Sequence, residues 1–191
     1  MNLVTGATGH IGNVLVKELV KRGEKVRALV LPDEDLSPLD GLDIEIAKGN
    51  VLDKSSLLPA FKGIKNVFHL AGIISIMPGK DDFVHDVNVN GTFNMLEAAK
   101  KAKVKKFVHT SSIHAFKRIP HGVVIDENVP IDPDSAVAAY DQSKAEATLA
   151  VLDAAKNGFP AVVVCPTGVV GPYDYKGSEI GVLIQEWMMH K

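Results

Sequence analysis

The sequence predicts an α/β fold of the doubly wound kind, a parallel sheet covered by helices on both faces in an αβα arrangement. Three observations carry this. Short apolar runs rich in β-formers alternate with amphipathic helical patterns from end to end. A glycine-rich turn, Thr5-Gly6-Ala7-Thr8-Gly9-His10-Ile11-Gly12, joins the first run to the first helix. The 191 residues, 46% hydrophobic and 23% charged, suit one domain with a sizeable core and contain no repeats or low-complexity stretches. Strands alternating with helices at this rhythm pair in parallel through right-handed crossovers. Ligands of such sheets bind beyond the carboxyl ends of the strands, so the informative loops should follow Val4, Leu31, Leu70, Thr110 and Cys165.

Leu3-Val4 begins the first strand, and the pattern from Ile11 to Arg22 reads as a helix that Gly23 stops. Lys25–Leu31 is the second strand, Pro32–Gly41 a loop of Asp, Pro and Ser, and Asp43–Ala47 the third strand. Ser55–Phe61 is a short helix and Asn66–Leu70 the fourth strand. Phe83–Lys101 has the spacing of a long helix, and its lysine-rich end suits the dipole. Lys106–Thr110 is the fifth strand, 113–134 a long proline-containing connection, Ala136–Lys156 a second long helix, and Ala161–Cys165 the sixth strand.

The formal charge of −2 gives no electrostatic reason to expect nucleic acid or a membrane surface. No apolar run reaches transmembrane length. The single cysteine, Cys165, excludes an internal disulfide and fits a reducing compartment, so the expected location is cytoplasmic. The sequon Asn90-Gly91-Thr92 is expected to be idle there.

Three stretches carry chemistry. In the glycine turn, Gly6 allows a tight bend, Gly9 lets the backbone approach a pyrophosphate, and Gly12 lets helix and strand pack closely. The free N–H groups and positive dipole end of the following helix then face the phosphates. In Tyr140-Asp141-Gln142-Ser143-Lys144, phenol and ammonium share one helix face, and a neighbouring cation lowers a phenol pKa toward the range useful for acid–base work. Thr110-Ser111-Ser112 leaves the fifth strand at its carboxyl end, where a serine can hold a substrate oxygen. His109, His114 and His121 fit no zinc spacing and no metal is expected. The Lys100–Lys106 run reads as a solvated turn, and Trp187, Met188 and Met189 as the packing face of a terminal helix.

In this order the motifs resemble an extended short-chain dehydrogenase/reductase of the NAD-dependent epimerase/dehydratase family, with a Rossmann-like fold. The resemblance runs from Thr5 to Pro172 and includes His69-Leu70-Ala71-Gly72, Asn88-Val89-Asn90-Gly91-Thr92 and Pro166-Thr167-Gly168-Val169-Val170-Gly171-Pro172. Val26–Val30 and the strand-six exit look most like the dihydroflavonol reductase-like branch. The resemblance implies Tyr140 as acid–base, Ser112 rather than Ser111 as the catalytic hydroxyl, and Lys144 as ligand of the nicotinamide ribose and depressor of the tyrosine pKa. It places Gly6, Thr8, Gly9, His10, Ile11, Gly12, Asn50, Val51, Leu70, Ala71, Gly72, Tyr140, Lys144, Pro166 and Val169 at the cofactor. Asn50 stands where the family usually has Asp beside the adenine.

Cofactor choice, NAD or NADP, stays open. An acid at the end of strand two would bind the ribose of NAD and an arginine there the NADP phosphate, but Val30 and Leu31 occupy those positions. Asp33, two residues on, can reach a ribose hydroxyl. The implied activity is hydride transfer between nicotinamide and a small-molecule ketone, aldehyde or secondary alcohol. The alternatives are an NAD-dependent nucleotide-sugar epimerase or dehydratase, and a non-catalytic NAD(P)-binding regulator. By the same resemblance the helices at 83–101 and 136–157 pair across a homodimer axis, and the 73–82 and 113–134 loops shape the substrate pocket. Extended members continue well past the strand-six exit, whereas this sequence ends at Lys191. The expectation is an NAD(P)-binding domain over 1–170 and the start of a truncated C-terminal substrate region over 171–191.

Overall fold

The computed structural model describes residues 1–74 and 81–189. Six strands, β1 (Asn2–Thr5), β2 (Val26–Val30), β3 (Glu45–Lys48), β4 (Asn66–His69), β5 (Lys106–Thr110) and β6 (Ala161–Val164), form one sheet in the order β3-β2-β1-β4-β5-β6. Every neighbouring pair is parallel. The register lines up Thr5 with Leu29 and His69, His69 with His109, and Thr110 with Val164, so the carboxyl ends form one continuous rim.

Alternation along each strand sends successive side chains to opposite faces. On one face Val4, Ala28 and Val30 pack with Ala7, Val16 of helix α1 (His10–Lys21) and Leu39. On the other, Leu3, Leu29, Val67 and Phe107 pack under helices α2 (Lys54–Ala60), α4 (Gly91–Lys101) and α5 (Ala139–Lys156), which contribute Leu57, Met95, Ala99 and Val151. The central strand β1 is wholly buried, whereas β3 and β6, at the sheet edges, are largely exposed.

The element boundaries follow the sequence pattern closely, with two informative departures. The long helix expected over 83–101 is interrupted. α3 (Asp81–His85) passes through a π-turn at Asp86–Asn90 before α4 begins. The wider turn lets Asn88 point inward, and its side chain holds Ile73 at both backbone groups and the Ser143 hydroxyl. The second departure is a correction. Helix α6 (Glu179–Met189) was expected to pack through Trp187, Met188 and Met189, yet these are 81%, 64% and 78% exposed. No described residue of α6 is buried, because the sheet ends at β6 and neither core cluster extends under this helix.

The core also holds two histidines side by side. His69 and His109 face each other across the β4–β5 pair with ring centroids 5.5 Å apart, both almost completely buried. His69 is bonded to the Thr5 and Thr92 hydroxyls at 2.8 and 3.1 Å. Neither ring nitrogen of His109 has a hydrogen-bond partner among the described residues. Burial, with Lys144 nearby, pushes His69 down to about 3, and burial with the His69 and Lys144 charges pushes His109 well below the usual histidine value. Both rings are therefore neutral in the fold, and the unfolded chain takes up more protons than the folded one below pH 6.5. Stability should be full above that pH and fall below it, with a slope of up to about 1.4 kcal/mol per pH unit for each histidine. Urea unfolding between pH 7.5 and 5 checks this, and His109→Phe should flatten the slope; equal midpoints across the range would contradict the account.

Candidate active site

The β1–α1 turn is built on backbone contacts that leave no room for side chains. Gly6 has φ +66°, and a Cβ there would lie 2.8 Å from the Ala71 nitrogen and the Leu70 carbonyl carbon. A Cβ on Gly12 would fall 2.0 Å from the Gly6 carbonyl oxygen, so α1 rests directly on the turn. Gly9 is less constrained, its Cβ position lying 3.3 Å from the same oxygen. No side chain caps α1 among the described residues, so its first N–H groups and positive dipole end stay available to an anion.

The exit of β4 is tied to this turn. The Thr5 hydroxyl, already bonded to His69, accepts from the N–H of Leu70 at 3.2 Å and of Ala71 at 3.0 Å. Gly72 follows, where a Cβ would meet the Asn88 side-chain Oδ1 at 3.1 Å and lie 3.9 Å from the Lys144 ammonium. Leu70-Ala71-Gly72 thus runs between the glycine turn and α5.

The third wall comes from β5, α5 and the β6 exit. The two serines divide their work. Ser111 bonds the Thr148 hydroxyl on α5 and gives its N–H to the Val164 carbonyl, while Ser112 accepts from the His114 N–H at 3.2 Å and stands in the cleft near enough to Tyr140 to draw its pKa down. Tyr140, Ser112 and Lys144 line a cleft of about 170 Å³ together with Ile11, Leu70 and Gly72. Pro166 and Val169 close it from the β6 side.

The Tyr–Lys relation differs from the sequence expectation. The Lys144 ammonium donates to the Thr110 carbonyl at 2.7 Å, and burial pulls its pKa down to about 8, with the neighbouring Cys165 working the other way. Tyr140 is not depressed. Burial pushes the phenol above its ordinary value, the Ser112 hydrogen bond pulls it back in part, and the Asp141 carboxylate adds to the rise. Asp141 is buried beside Tyr140 and paired with His114 at 3.1 Å and Arg118 at 3.6 Å.

Most of the expected cofactor residues converge. Gly6, Thr8, Gly9 and Gly12 shape the turn, Ala71 packs against Gly6, and the remaining residues just named surround the cleft. Asn50 and Val51 do not line it. Asn50 caps its own loop by accepting from the Leu52 N–H, and Val51 is buried against Gly91. His10 turns to the segment after β6, with Nε2 3.1 Å from the Pro172 carbonyl oxygen. Of the substrate loops, 75–80 lies outside the described residues. The acid that reaches the turn is Glu34 rather than Asp33. It accepts from the Leu31 N–H at 3.0 Å, from the Thr8 hydroxyl and from Lys176 at 3.1 Å. Strand-end alignment pointed to Val30; the tight turn at Leu31–Glu34 folds the later residue back into reach.

Fold and site together define an extended short-chain dehydrogenase/reductase. The chain belongs to the 3-beta hydroxysteroid dehydrogenase/isomerase family, whose profile matches residues 3–186. It is 38% identical over 185 residues to sterol demethylase protein B of Methylococcus capsulatus, covering 97% of this chain and 56% of that protein. It is 34% identical to a putative dihydroflavonol 4-reductase of Synechocystis sp., covering 97% and 54%. A short-chain dehydrogenase/reductase superfamily protein from Agrobacterium tumefaciens, solved with bound NAD, superposes with a TM-score of 0.74 at 30% identity, covering 86% of this chain and 48% of that one. The chain therefore spans about half the length of the relatives it matches.

Gly12→Ala tests the turn. With a Cβ forced against the Gly6 oxygen, NADH affinity should fall by more than about tenfold, or about 1.4 kcal/mol. Wild-type affinity in fluorescence titration would show that the turn is not part of the binding site.

Proposed function

We propose that this chain carries the cofactor-binding and proton-transfer part of an NAD-dependent oxidoreductase acting on a ketone, an aldehyde or the matching secondary alcohol. The observation that carries the reading is the convergence of Ser112, Tyr140 and Lys144 on one cleft beside a helix N-terminus approached through three glycines. Residues 1–170 serve as the dinucleotide-binding domain, and 171–191 begin the substrate region.

Bound nicotinamide would supply the hydride in reduction or accept it in oxidation. Ser112 donates a hydrogen bond to the substrate oxygen and holds it beside Tyr140. Tyr140 gives its phenolic proton to that oxygen as charge develops there. Its raised pKa keeps the proton in place at neutral pH, which suits the acid role in carbonyl reduction. Lys144, fixed by the Thr110 carbonyl, supplies a positive charge within the cleft below about pH 8 and a donor for the nicotinamide ribose. Glu34, held at the turn by Thr8 and Leu31, favours the ribose hydroxyls of NAD and repels a 2′-phosphate.

Tyr140→Phe separates chemistry from binding. Turnover with a ketone panel should drop by at least about a hundredfold while NADH still binds; unchanged turnover would refute the role of the phenol. Lys144 gives a pH signature. Its ammonium is present below its lowered pKa and lost above it, so the NADH affinity should decline as pH rises through about 8. Constant affinity to pH 10 would remove the lysine from the cofactor site. A homodimer through α4 and α5, where Phe93 and Leu149 are 52% and 41% exposed, is tested by light scattering.

A further inference from the structure

A segment beyond β6 is fastened across the outer side of the glycine turn. Asn13 donates to the Tyr173 carbonyl at 3.0 Å, His10 meets that of Pro172, and the Lys17 ammonium lies 4.3 Å from the Tyr173 ring centroid and 5.2 Å from that of Tyr175. Tyr173 has φ +69°, a left-handed conformation that bulky side chains rarely adopt, so the contacts with α1 hold a turn the chain disfavours by itself. The segment then delivers Lys176 to the turn. Its ammonium donates to the Thr8 hydroxyl at 3.0 Å and to Glu34 at 3.1 Å, on the carboxylate oxygen that Thr8 also bonds. Thr8 is buried and the Glu34 side chain is 19% exposed, whereas that of Lys176 is 55% exposed. Asp35 lies close enough to feel the same ammonium.

We propose that Lys176 is a cofactor-selectivity residue: a cation carried from beyond β6 to the ribose end of the dinucleotide site, where it offsets the repulsion of a 2′-phosphate by Glu34. The inference rests on the dinucleotide reading above and adds to the glycine-turn side of the site a residue from the segment beyond β6. Glu34 alone presents a fixed negative charge to a phosphate carrying about −1.5 to −2. Paired with Lys176, the two charges largely cancel, and discrimination against NADP is moderated. With Glu34 neutral, Lys176 is left free to receive the phosphate as a point charge. Glu34 and Lys176 therefore act in opposite senses, and each effect depends on the other. Because Lys176 is half-exposed, its contribution should shrink with salt.

The test is a set of NADH and NADPH titrations, followed by nicotinamide fluorescence, on the wild type, Lys176→Gln, Glu34→Gln and the double variant. Thermal unfolding without cofactor verifies that each variant is folded. Lys176→Gln should weaken NADPH by about threefold or more relative to NADH, since the carboxylate is then unopposed. Glu34→Gln should shift the ratio toward NADPH by about tenfold or more, and the double variant should lose most of that gain. An unchanged ratio in Lys176→Gln, or a double variant equal to Glu34→Gln, would overturn the role of Lys176 while leaving the cofactor site intact. A folded wild type that binds neither nucleotide would overturn both readings.

Discussion

The site depends on how closely the β1–α1 turn approaches the exit of β4. Gly6 sits against the backbone of Leu70 and Ala71 with no space for a Cβ, and Thr5 just before it takes up both of their N–H groups, Leu70 through carbonyl and hydroxyl and Ala71 through the hydroxyl. That contact fixes where the N-terminus of α1 points relative to Gly72. Asn88 and Lys144 then stand on the far side of Gly72, where an added methyl would crowd the Asn88 side-chain oxygen at 3.1 Å and reach ordinary contact with the Lys144 ammonium. The rest of the cleft is arranged around this backbone junction, which is why glycines stand where turn and strand exit meet.

A second chain of contacts carries this placement to Tyr140 and Lys144. Thr5 holds His69, His69 meets Thr92, Thr92 donates to the Asn88 carbonyl, and Asn88 reaches Ser143 on the helix that bears Tyr140 and Lys144. The π-turn at Asp86–Asn90 is the structural condition for this, since it rotates Asn88 into the interior. The arrangement has a cost: two imidazoles and an ammonium share the interior, and the positive charge that Lys144 brings is one reason both histidines stay neutral. Stability toward acid is thus surrendered where the site needs a buried cation.

Much of this was legible in the sequence. Hydrophobic alternation and helical spacing gave six parallel strands and their helices to within a few residues, because burial on both faces of the sheet leaves little freedom in which residues are apolar. That Ser112, Tyr140 and Lys144 meet in one cleft was legible because each sits at a strand exit or on one helix face, where spacing translates directly into space. What escaped was of another kind. Glu34 enters through a turn rather than through strand register, so alignment on Val30 passed over it. Lys176 reaches Thr8 only after the chain has crossed the sheet, at a sequence separation no periodicity reports. The apolar character of α6 suggested packing, but hydrophobicity states a need for burial and not what supplies it. The sign of the Tyr140 shift was missed because pairing on a helix was weighed without burial or the adjacent Asp141.

The charges that remain are segregated by function along the cleft. In the proposed reading the nicotinamide end is the side of Lys144, which donates to a backbone carbonyl and pairs with no carboxylate among the described residues, so its charge would be available to a ribose or a developing oxyanion. At the glycine turn, which the proposed reading gives to the adenosine ribose, Lys176 is instead paired with a carboxylate, and the pair is close to neutral as a whole. A site with two free cations would favour phosphate-rich ligands at both ends. In that reading, with only one of the two cations compensated by a carboxylate among the described residues, the attraction would be concentrated beside Tyr140, and recognition of the far end would be left to hydrogen bonds that read ribose hydroxyls. The carboxylate beside Tyr140 fits the same division. Paired with His114 and Arg118 at the rim, Asp141 adds to the burial that holds the phenol above its ordinary value without placing a negative charge in the cleft itself, which suits the proposed role of Tyr140 as a proton donor.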